Sequence, residues 1–479
     1  MEQVTLNDYA GGFLGGQQEN ALELLKAMQA GAITGRDTAD QSLTYEPLKV
    51  ESLETTLKVL EFRQKDIKLL NAMPKMTAYN TVEEFLQLKS YGQEGGGFYN
   101  EGELSDVEDS QYVRRSALIK YLQITGQVTL QAQMVKSFVD AMRQETENKV
   151  MWITRAANTY MTKGNSSLVP QEWDGLFKQH ASIGTEEGYL YASLEEYMTS
   201  NVVIDLRGAS LKQTHVEDAA VRIDANYGNV SDLFAPTVVL STLSQDYFQD
   251  QRIMLNASNP GSYTGKIGTV AKAIDTTIGE VKLQADKFMA TNRSRKTTDA
   301  ATNAKAPSAV TSVSLNVTPD TTSKLQTGET GTVYYAVAAR NRFGESALTQ
   351  IGAAAATLVV GSSVDLSFTP GGGANSATCF VVYRSKVTSA GSISGVEMFP
   401  IFEVSASERT AGYDGAAAGV VRDRHRFLPN TDKAFLTEMV DEVLSFKQLA
   451  PISKLDLAVI SMSKQFISFL FATPQVYAP

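Results

Sequence analysis

The sequence predicts an α+β fold with an all-β sandwich set into it, and three observations carry that prediction. A helical apolar pattern runs from Leu130 to Tyr160, directly after a strand-like segment. Just upstream, an acidic stretch bounded by glycines separates two strand-like runs. Downstream, mixed helix and strand patterns stop at Thr291. Short Val, Thr, Ser and Ala runs between glycine-rich turns replace them, and mixed patterns return near residue 427.

Residues 1–40 are glycine-rich, and Gly11-Gly12 and Gly15-Gly16 weaken regular structure there, so a draped arm is expected. Leu53, Leu57, Leu60, Ile67 and Leu70 are spaced for a second helix, which Met73-Pro74 ends. Thr81 to Tyr91 reads as a strand, and so does Tyr112 to Leu122. Between Ser90 and Val113 there is no Lys or Arg. The stretch carries Glu94, Glu101, Glu103, Asp106, Glu108 and Asp109, with Phe98 and Tyr99 beside them. Two readings stand for it: a solvated acidic loop, or a long two-stranded arm with an acidic tip. In the helix that follows, Leu130, Met134, Phe138, Met142 and Ile153 share one face, expected to be the core face. Thr129 is the expected N-cap and Lys163-Gly164 the stop. About 33 residues at 1.5 Å rise make a rod of roughly 50 Å.

Glu172-Trp173-Asp174-Gly175-Leu176 reads as a compact surface turn. Thr214-His215-Val216-Glu217 matches a capping box, with Val216, Ala219, Ala220, Ile223 and Tyr227 on one helical face before Gly228. Thr237-Val238-Val239-Leu240 reads as a short buried strand, with a further helix opening at Thr242. Thr291 to Lys305 is a polar linker, and Pro307 to about Tyr413 is all β. Within it, Tyr335-Ala-Val337-Ala-Ala339-Arg-Asn341-Arg-Phe-Gly344-Glu345-Ser346 resembles the penultimate-strand signature of fibronectin type III domains. Cys379 to Arg384 is another strand, with Cys379 expected to be an inert core thiol. Gly412 to Arg422 reads as a second linker, and Leu455, Leu457 and Val459 alternate as in a strand.

Composition narrows the function. The 479 residues allow two to four domains. A net charge of −10 opposes generic nucleic-acid binding and an anionic membrane surface. One cysteine forbids an intrachain disulfide and suits a reducing cytoplasm. The amino terminus has neither the basic nor the apolar region of a signal peptide. Asp456 and Lys464 interrupt the most apolar segment, which argues against a transmembrane helix. The three histidines, His180, His215 and His425, have no partners at metal-ligand spacing. Gly261 to Ile267 has the wrong spacing for a phosphate loop, and Gly391 to Gly395 the wrong serines for a nucleophile elbow. The acidic tip lacks the alternating ligands of a calcium loop. The expectation is therefore no enzyme, no metal and no cofactor.

The order of parts resembles that of tailed-bacteriophage major capsid proteins of the Hong Kong 97-type fold that carry an inserted immunoglobulin-like domain. Phe98 to Glu103 and Arg114 to Tyr121 look like that family's E-loop return. Glu172 to Leu176 looks like the turn after its spine helix, and His215 to Ile223 like its first A-domain helix. The resemblance implies an N-terminal arm and helices over 1–75, an E-loop over 76–128, and a spine helix with P-domain over 129–210. It implies an A-domain over 211–305, an inserted sandwich over 306–424, and a return to the A- and P-domains over 425–479. The implied function is self-assembly into hexamers and pentamers forming an icosahedral shell around double-stranded DNA, without sequence-specific contact. The implied partners are scaffolding and portal proteins and, in some relatives, decoration proteins. The implied setting is the virion capsid after synthesis in a bacterial cytoplasm. Some family members join a loop lysine to a neighbour's asparagine; a tip without lysine leads to the expectation of a non-covalent grip. The short region before the loop leads to the expectation of separate scaffolding. Alternatives are a tail or decoration component and, further off, a hydrolase with an accessory sandwich.

Overall fold

A computed structural model describes residues 64–92, 98–104, 109–134, 140–180, 202–250, 272–289, 293–352, 355–459 and 462–477. The expected amino-terminal arm, Leu53, Leu57, Leu60, Glu94, Asp106, Glu108 and Phe138 lie outside them.

The described chain begins with a short helix α1 (Leu69–Ala72), ended by extended Met73 before Pro74, and strand β1 (Lys75–Thr77). Strands β2 (Val82–Ser90) and β3 (Gln111–Leu118) then pair antiparallel, Val82 opposite Leu118 and Leu88 opposite Tyr112. The expected single strand from Tyr112 to Leu122 is in fact two. The chain breaks at buried Ile119, whose N–H bonds the Thr81 carbonyl, and restarts as β4 (Lys120–Thr129) in a different sheet.

That sheet has the order β1, β19 (Leu444–Asp456), β20 (Ser463–Val476), β4. The alternation of Leu455 and Leu457 foretold the strand end correctly only as far as Asp456. Gly126 sits in β4 because a Cβ there would lie 2.4 Å from the buried Phe466 ring on β20.

The long helix is shorter than its periodicity predicts. Thr129 does cap a turn, α2 (Leu130–Met134), by accepting from the Ala132 N–H at 3.3 Å. Asp140 then leaves the helical region and accepts from the Met142 N–H at 2.9 Å, starting a separate helix α3 (Ala141–Lys163). A side-chain cap at that point outweighs the continuing apolar pattern. At 23 residues α3 spans about 35 Å. Ile153 is fully buried and Met142 and Leu130 are half-buried, but Met134 is 79% exposed, so the expected core face fails there. The Glu145–Lys149 pair forms at 2.8 Å. Gly164 ends α3 as expected, and a Cβ on it would meet the Trp173 carbonyl at 2.4 Å.

Trp173 corrects another expectation, because the turn from Glu172 to Leu176 is not on the surface. Its indole is buried edge-on against Phe446 of β19 at 5.8 Å. Ile153, Met161, Trp173, Leu176, Phe446 and Leu470 form the central core between α3, the short helix α4 (Leu176–His180) and the sheet. Asp286 ties in α1. Fully buried, it accepts from the Leu69 N–H at 3.2 Å and from Asn158 Nδ2 at 2.8 Å.

A second lobe holds helices α5 (Gln213–Asp224) and α6 (Thr237–Asp250) beside β5 (Asp232–Ala235), β6 (Ala273–Asp275), β7 (Glu280–Ala285) and β18 (Phe435–Thr437). The sheet order is β18, β5, β7, β6. The cap at α5 precedes the expected Thr214: Lys212 is the cap residue and donates its N–H to His215 Nδ1 at 3.1 Å. Val216 and Ala220 are buried, whereas Tyr227 is exposed with φ 63°. The expected strand at Thr237 to Leu240 is the first turn of α6. Pro236 opens it, and the three-residue spacing that buries Leu240 and Leu243 outweighs the β-branched Val238-Val239 pair.

Between β7 and β18 stands the β-sandwich. One sheet runs β11 (Gly344–Glu345), β10 (Tyr335–Asn341), β15 (Cys379–Ser385), β16 (Met398–Ser405), with β12 (Thr349–Gln350) also on β10. The other runs β17 (Val420–Asp423), β14 (Ser362–Thr369), β8 (Thr311–Pro319). A small pair, β9 (Gly331–Val333) and β13 (Ala356–Leu358), flanks them. Two expectations change here. The Tyr335 strand is not penultimate, since β14 to β17 follow it. The stretch Gly412 to Arg422 is not a loose linker, since Val420–Asp423 pairs with β14. Strand β10 is buried on both faces, which explains its unbroken apolar run. Val337 and Ala339 face the sandwich core, and Ala336 and Ala338 face a second cluster with Tyr383 and Met398. Cys379 is buried, and burial pushes its thiol up to about 12.

Candidate functional site

No described side chain of the β2–β3 ribbon is fully buried. The side chains of Glu83, Phe85, Gln87, Val113 and Arg115 are half-buried on one face. Phe85 meets Tyr477 edge-on at 4.8 Å, and Gln87 donates to the Tyr477 carbonyl. Tyr477 is itself bound through its hydroxyl to Ser445 and Gln475, so the ribbon root rests on the end of the long sheet. The opposite face is exposed and mostly apolar: Val82, Leu86, Leu88, Tyr112 and Leu118, crossed by the Glu84–Arg114 ion pair. Leu86 is 71% and Tyr112 66% exposed. Five large apolar groups on one face of a two-stranded ribbon make a surface suited to being covered by a partner.

At the far end, Gly102 with φ 87° makes a tight turn in which Glu103 accepts from the Asn100 N–H at 3.0 Å. Phe98 and Leu104 are fully solvated beside Glu101, Glu103 and Asp109, which are also exposed. The two strands expected to flank the acidic stretch are present and paired, and the stretch itself, where described, is an exposed turn. Sequence reasoning picked out the acidic tip and missed the apolar face behind it. Its signal was present, as alternate residues 82, 86 and 88 opposite 112 and 118.

The remaining candidates are structural. Among the described residues no group of three or more His, Cys, Asp or Glu is placed to hold a metal, and no helix is long and apolar enough to cross a membrane. His215 serves the α5 cap. His425 is buried at the foot of the sandwich, where Arg384 contacts its Nδ1 at 2.6 Å, and burial lowers its pKa. Arg384 also donates to Asp423 at 3.0 Å, and Asp423 accepts from the Tyr335 hydroxyl at 2.8 Å. The signature tyrosine thus locks the last sandwich strand to the first sheet.

Arginines cross between sandwich and body at several points; Arg295 pairs with Glu345 at 3.0 Å and Arg384 donates to the Phe427 carbonyl at 3.1 Å. Arg340 on β10 donates to Glu403 at 2.6 Å and to Glu172, in the turn after α3, at 2.8 Å. Arg207, from the body, donates to the Lys324 carbonyl at 2.9 Å, to Glu329 at 2.5 Å and to the His425 carbonyl at 3.2 Å. Between these crossings lies an open cleft of about 1810 Å³, lined by Tyr160, Lys163, Arg340, Tyr383, Phe402 and Glu403 among others.

No family model matches the chain. The major capsid protein of Staphylococcus phage S25-3 is 22% identical over 453 residues, covering 92% of this chain and 90% of that protein. The major capsid protein of Staphylococcus phage K gives the same identity and coverage. A putative major capsid protein of Enterococcus phage phiEF24C is 20% identical over 269 residues, 56% of this chain and 54% of its own length. A solved capsid of a native GTA particle aligns over 94% of this chain and 96% of its own at 8% identity and TM-score 0.42, a likeness too loose to argue from.

Proposed function

We infer that this chain is a tailed-phage major capsid protein, a structural subunit of the virion shell. The observation that carries this reading is similarity to phage major capsid proteins along nearly the whole length of both chains. In this reading α3 is the beam of the subunit and the β2–β3 ribbon is its E-loop. The lobe of α5 and α6 is the A-domain, and residues 306–424 are an immunoglobulin-like insertion. Subunits join as hexamers and pentamers around double-stranded DNA, with scaffolding and portal proteins as assembly partners.

The ribbon supports such a role physically. In a ring of identical subunits each interface joins two different surfaces, so a projecting arm extends contact without enlarging the core. Its apolar face supplies the attraction, and each large side chain buried there contributes about 1.5–3 kcal/mol. The acidic tip fixes where the arm lands, since exposed charge sets register and rate more than affinity.

Electron microscopy of the full chain expressed with its scaffold tests the reading. Rings and closed shells are the expected result, and persistent monomers would sink it. A copy number of tens rather than hundreds per virion would instead favour a tail or decoration component. Converting Glu101, Glu103 and Asp106 to lysine is expected to slow assembly at least several-fold at low salt and much less at 0.5 M, where screening is nearly complete. Equal assembly rates at low salt would exclude a charge-guided landing.

A further inference from the structure

A strand at the edge of a sheet leaves half of its backbone N–H and C=O groups unpaired. Proteins blunt such edges with charge, proline, bulges or brevity. Among the described residues, each free edge but one is blunted in these ways. Strands β1, β6, β9, β13 and β18 are three residues long, and β11 and β12 two. Strand β8 ends on Pro319 and bulges at Val313. Strand β16 holds Pro400 and bulges beside it. The outer half of β19 carries Pro451 and two irregular steps. The short β17 carries Arg422. In the ribbon, β2 carries Glu83 and Glu84 with an irregular step after Leu88, and β3 carries Arg114 and Arg115. The end of β20 that runs past β4 is taken by Gln179, which donates to the Pro474 carbonyl and accepts from the Val476 N–H.

Strand β4 is the exception. It is ten residues long and pairs with β20 in unbroken register from Lys120 to Thr129. Past Lys120 it has neither charge nor proline. On its other side, among the described residues, nothing bonds the outward backbone groups from Tyr121 to Val128. Leu122 and Ile124 pack toward the core shared with α3. Tyr121, Gln123, Thr125, Gln127 and Thr129 are exposed on the opposite face.

We propose that β4 is a self-pairing edge: it joins β4 of a second copy, antiparallel about a two-fold axis at Thr125, and fuses two four-stranded sheets into one of eight.

The occupant is a second copy because the strand complements itself. Directly opposite residues of an antiparallel pair point to the same face, so the axis falls on a residue and not between two. Centred on Thr125, the pairing uses every residue from Tyr121 to Thr129. Thr125 meets its own copy, Gln123 meets Gln127, Leu122 meets Val128, and Ile124 meets Gly126. Hydroxyl faces hydroxyl, amide faces amide, and the apolar side chains gather on the core side. Cross-strand pairs of these kinds stabilise a sheet. The strand's one charge, Lys120, falls just outside the pairing, so no like charges meet. The other described edges are blunted, which leaves the same strand on another subunit. A contact of this kind is isologous and closes at two copies, so a bare edge is covered without propagating into a fibre. It is separate from the ribbon contact, which joins two unlike surfaces, and it draws on the shell reading only for the presence of many copies.

Disulfide trapping in the full-length chain tests the register. The buried Cys379 is the chain's one other thiol. Thr125→Cys is oxidised with copper phenanthroline, both in assembled particles and as concentrated free subunit. Opposite residues in this register lie within disulfide reach, whereas two copies of residue 123 are offset by four residues, about 13 Å. Thr125→Cys is therefore expected to give covalent dimers at least tenfold above Gln123→Cys or Gln127→Cys alone. Gln123→Cys mixed with Gln127→Cys is expected to restore them. Gln123→Lys with Gln127→Lys sets like charges opposite one another, and is expected to lower the Thr125→Cys dimer at least tenfold while the melting temperature of the subunit stays unchanged. Absence of the Thr125→Cys dimer from both samples overturns the proposal, as does a dimer that ignores the lysine pair. Thr125→Cys that bonds Leu88→Cys in co-assembled single variants, in place of its own copy, assigns the edge to a neighbour's ribbon and also overturns it. Failure of the parent chain to form shells strikes the shell reading instead, and the free-subunit sample then judges the edge.

Discussion

Aspartate at both Leu86 and Tyr112 is expected to abolish shell formation and leave the folded subunit intact. Both side chains are mostly solvated in the isolated chain, and they lie on the ribbon face turned away from the body. Surface changes of this kind shift stability by within about 0.5 kcal/mol, so the melting temperature should move by about 2 °C or less. Inside a closed contact the same carboxylates would lose water without gaining partners, at a cost of several kcal/mol for each copy of the contact. Sedimentation of assembly reactions reads the outcome, with at least a tenfold loss of fast-sedimenting particles expected. Near-normal yield would move the arm's grip from this face to the tip.

The second large effect is on the fold itself. Ile153→Asp is expected to destabilise the subunit by about 4 kcal/mol or more, because the carboxylate would sit unpaired in the core beside Met161 and Trp173. Met134→Asp, on the same predicted helical face, is expected to be neutral within about 0.5 kcal/mol, because that side chain is in solvent. Urea unfolding of the two variants checks the pair. Equal losses would mean that one continuous helical face packs on the core after all.

That contrast shows how the sequence can be read and where the reading fails. Periodicity is a regional signal, and it placed α3 and its buried residues correctly around Ile153 and Ala157. The break at Asp140 is a local competition between one side-chain cap and the next helical turn, and hydrophobic spacing does not register it. The same holds for Thr237 to Leu240, where two adjacent valines suggested a strand and Pro236 opened a helix. The composition change at the sandwich was plain, yet the place of the Tyr335 strand within it was not, because strand order depends on pairings distant in sequence. At the candidate site, the acidic tip was legible as a run without Lys or Arg. The apolar face was written across two strands, and it appears only when Leu88 is set opposite Tyr112. The turn at Trp173 misled because its glycines and acids look solvated. In fact Gly164 and Gly175 are small to let the turn pack against the end of α3.

The order of the long sheet has a consequence for synthesis. Strands β1 and β4 leave the ribosome early, yet their partners are β19 and β20, made more than 300 residues later. In the second lobe β5 likewise waits about 200 residues for β18. A sandwich that folds while the chain is still growing would shorten both waits, since a folded insert spans little distance between its ends and lowers the entropy of closing the loop. The root of the arm rests on Tyr477, which lies 390 residues beyond Gln87 in the chain. An incomplete chain therefore lacks the seat that aims the arm.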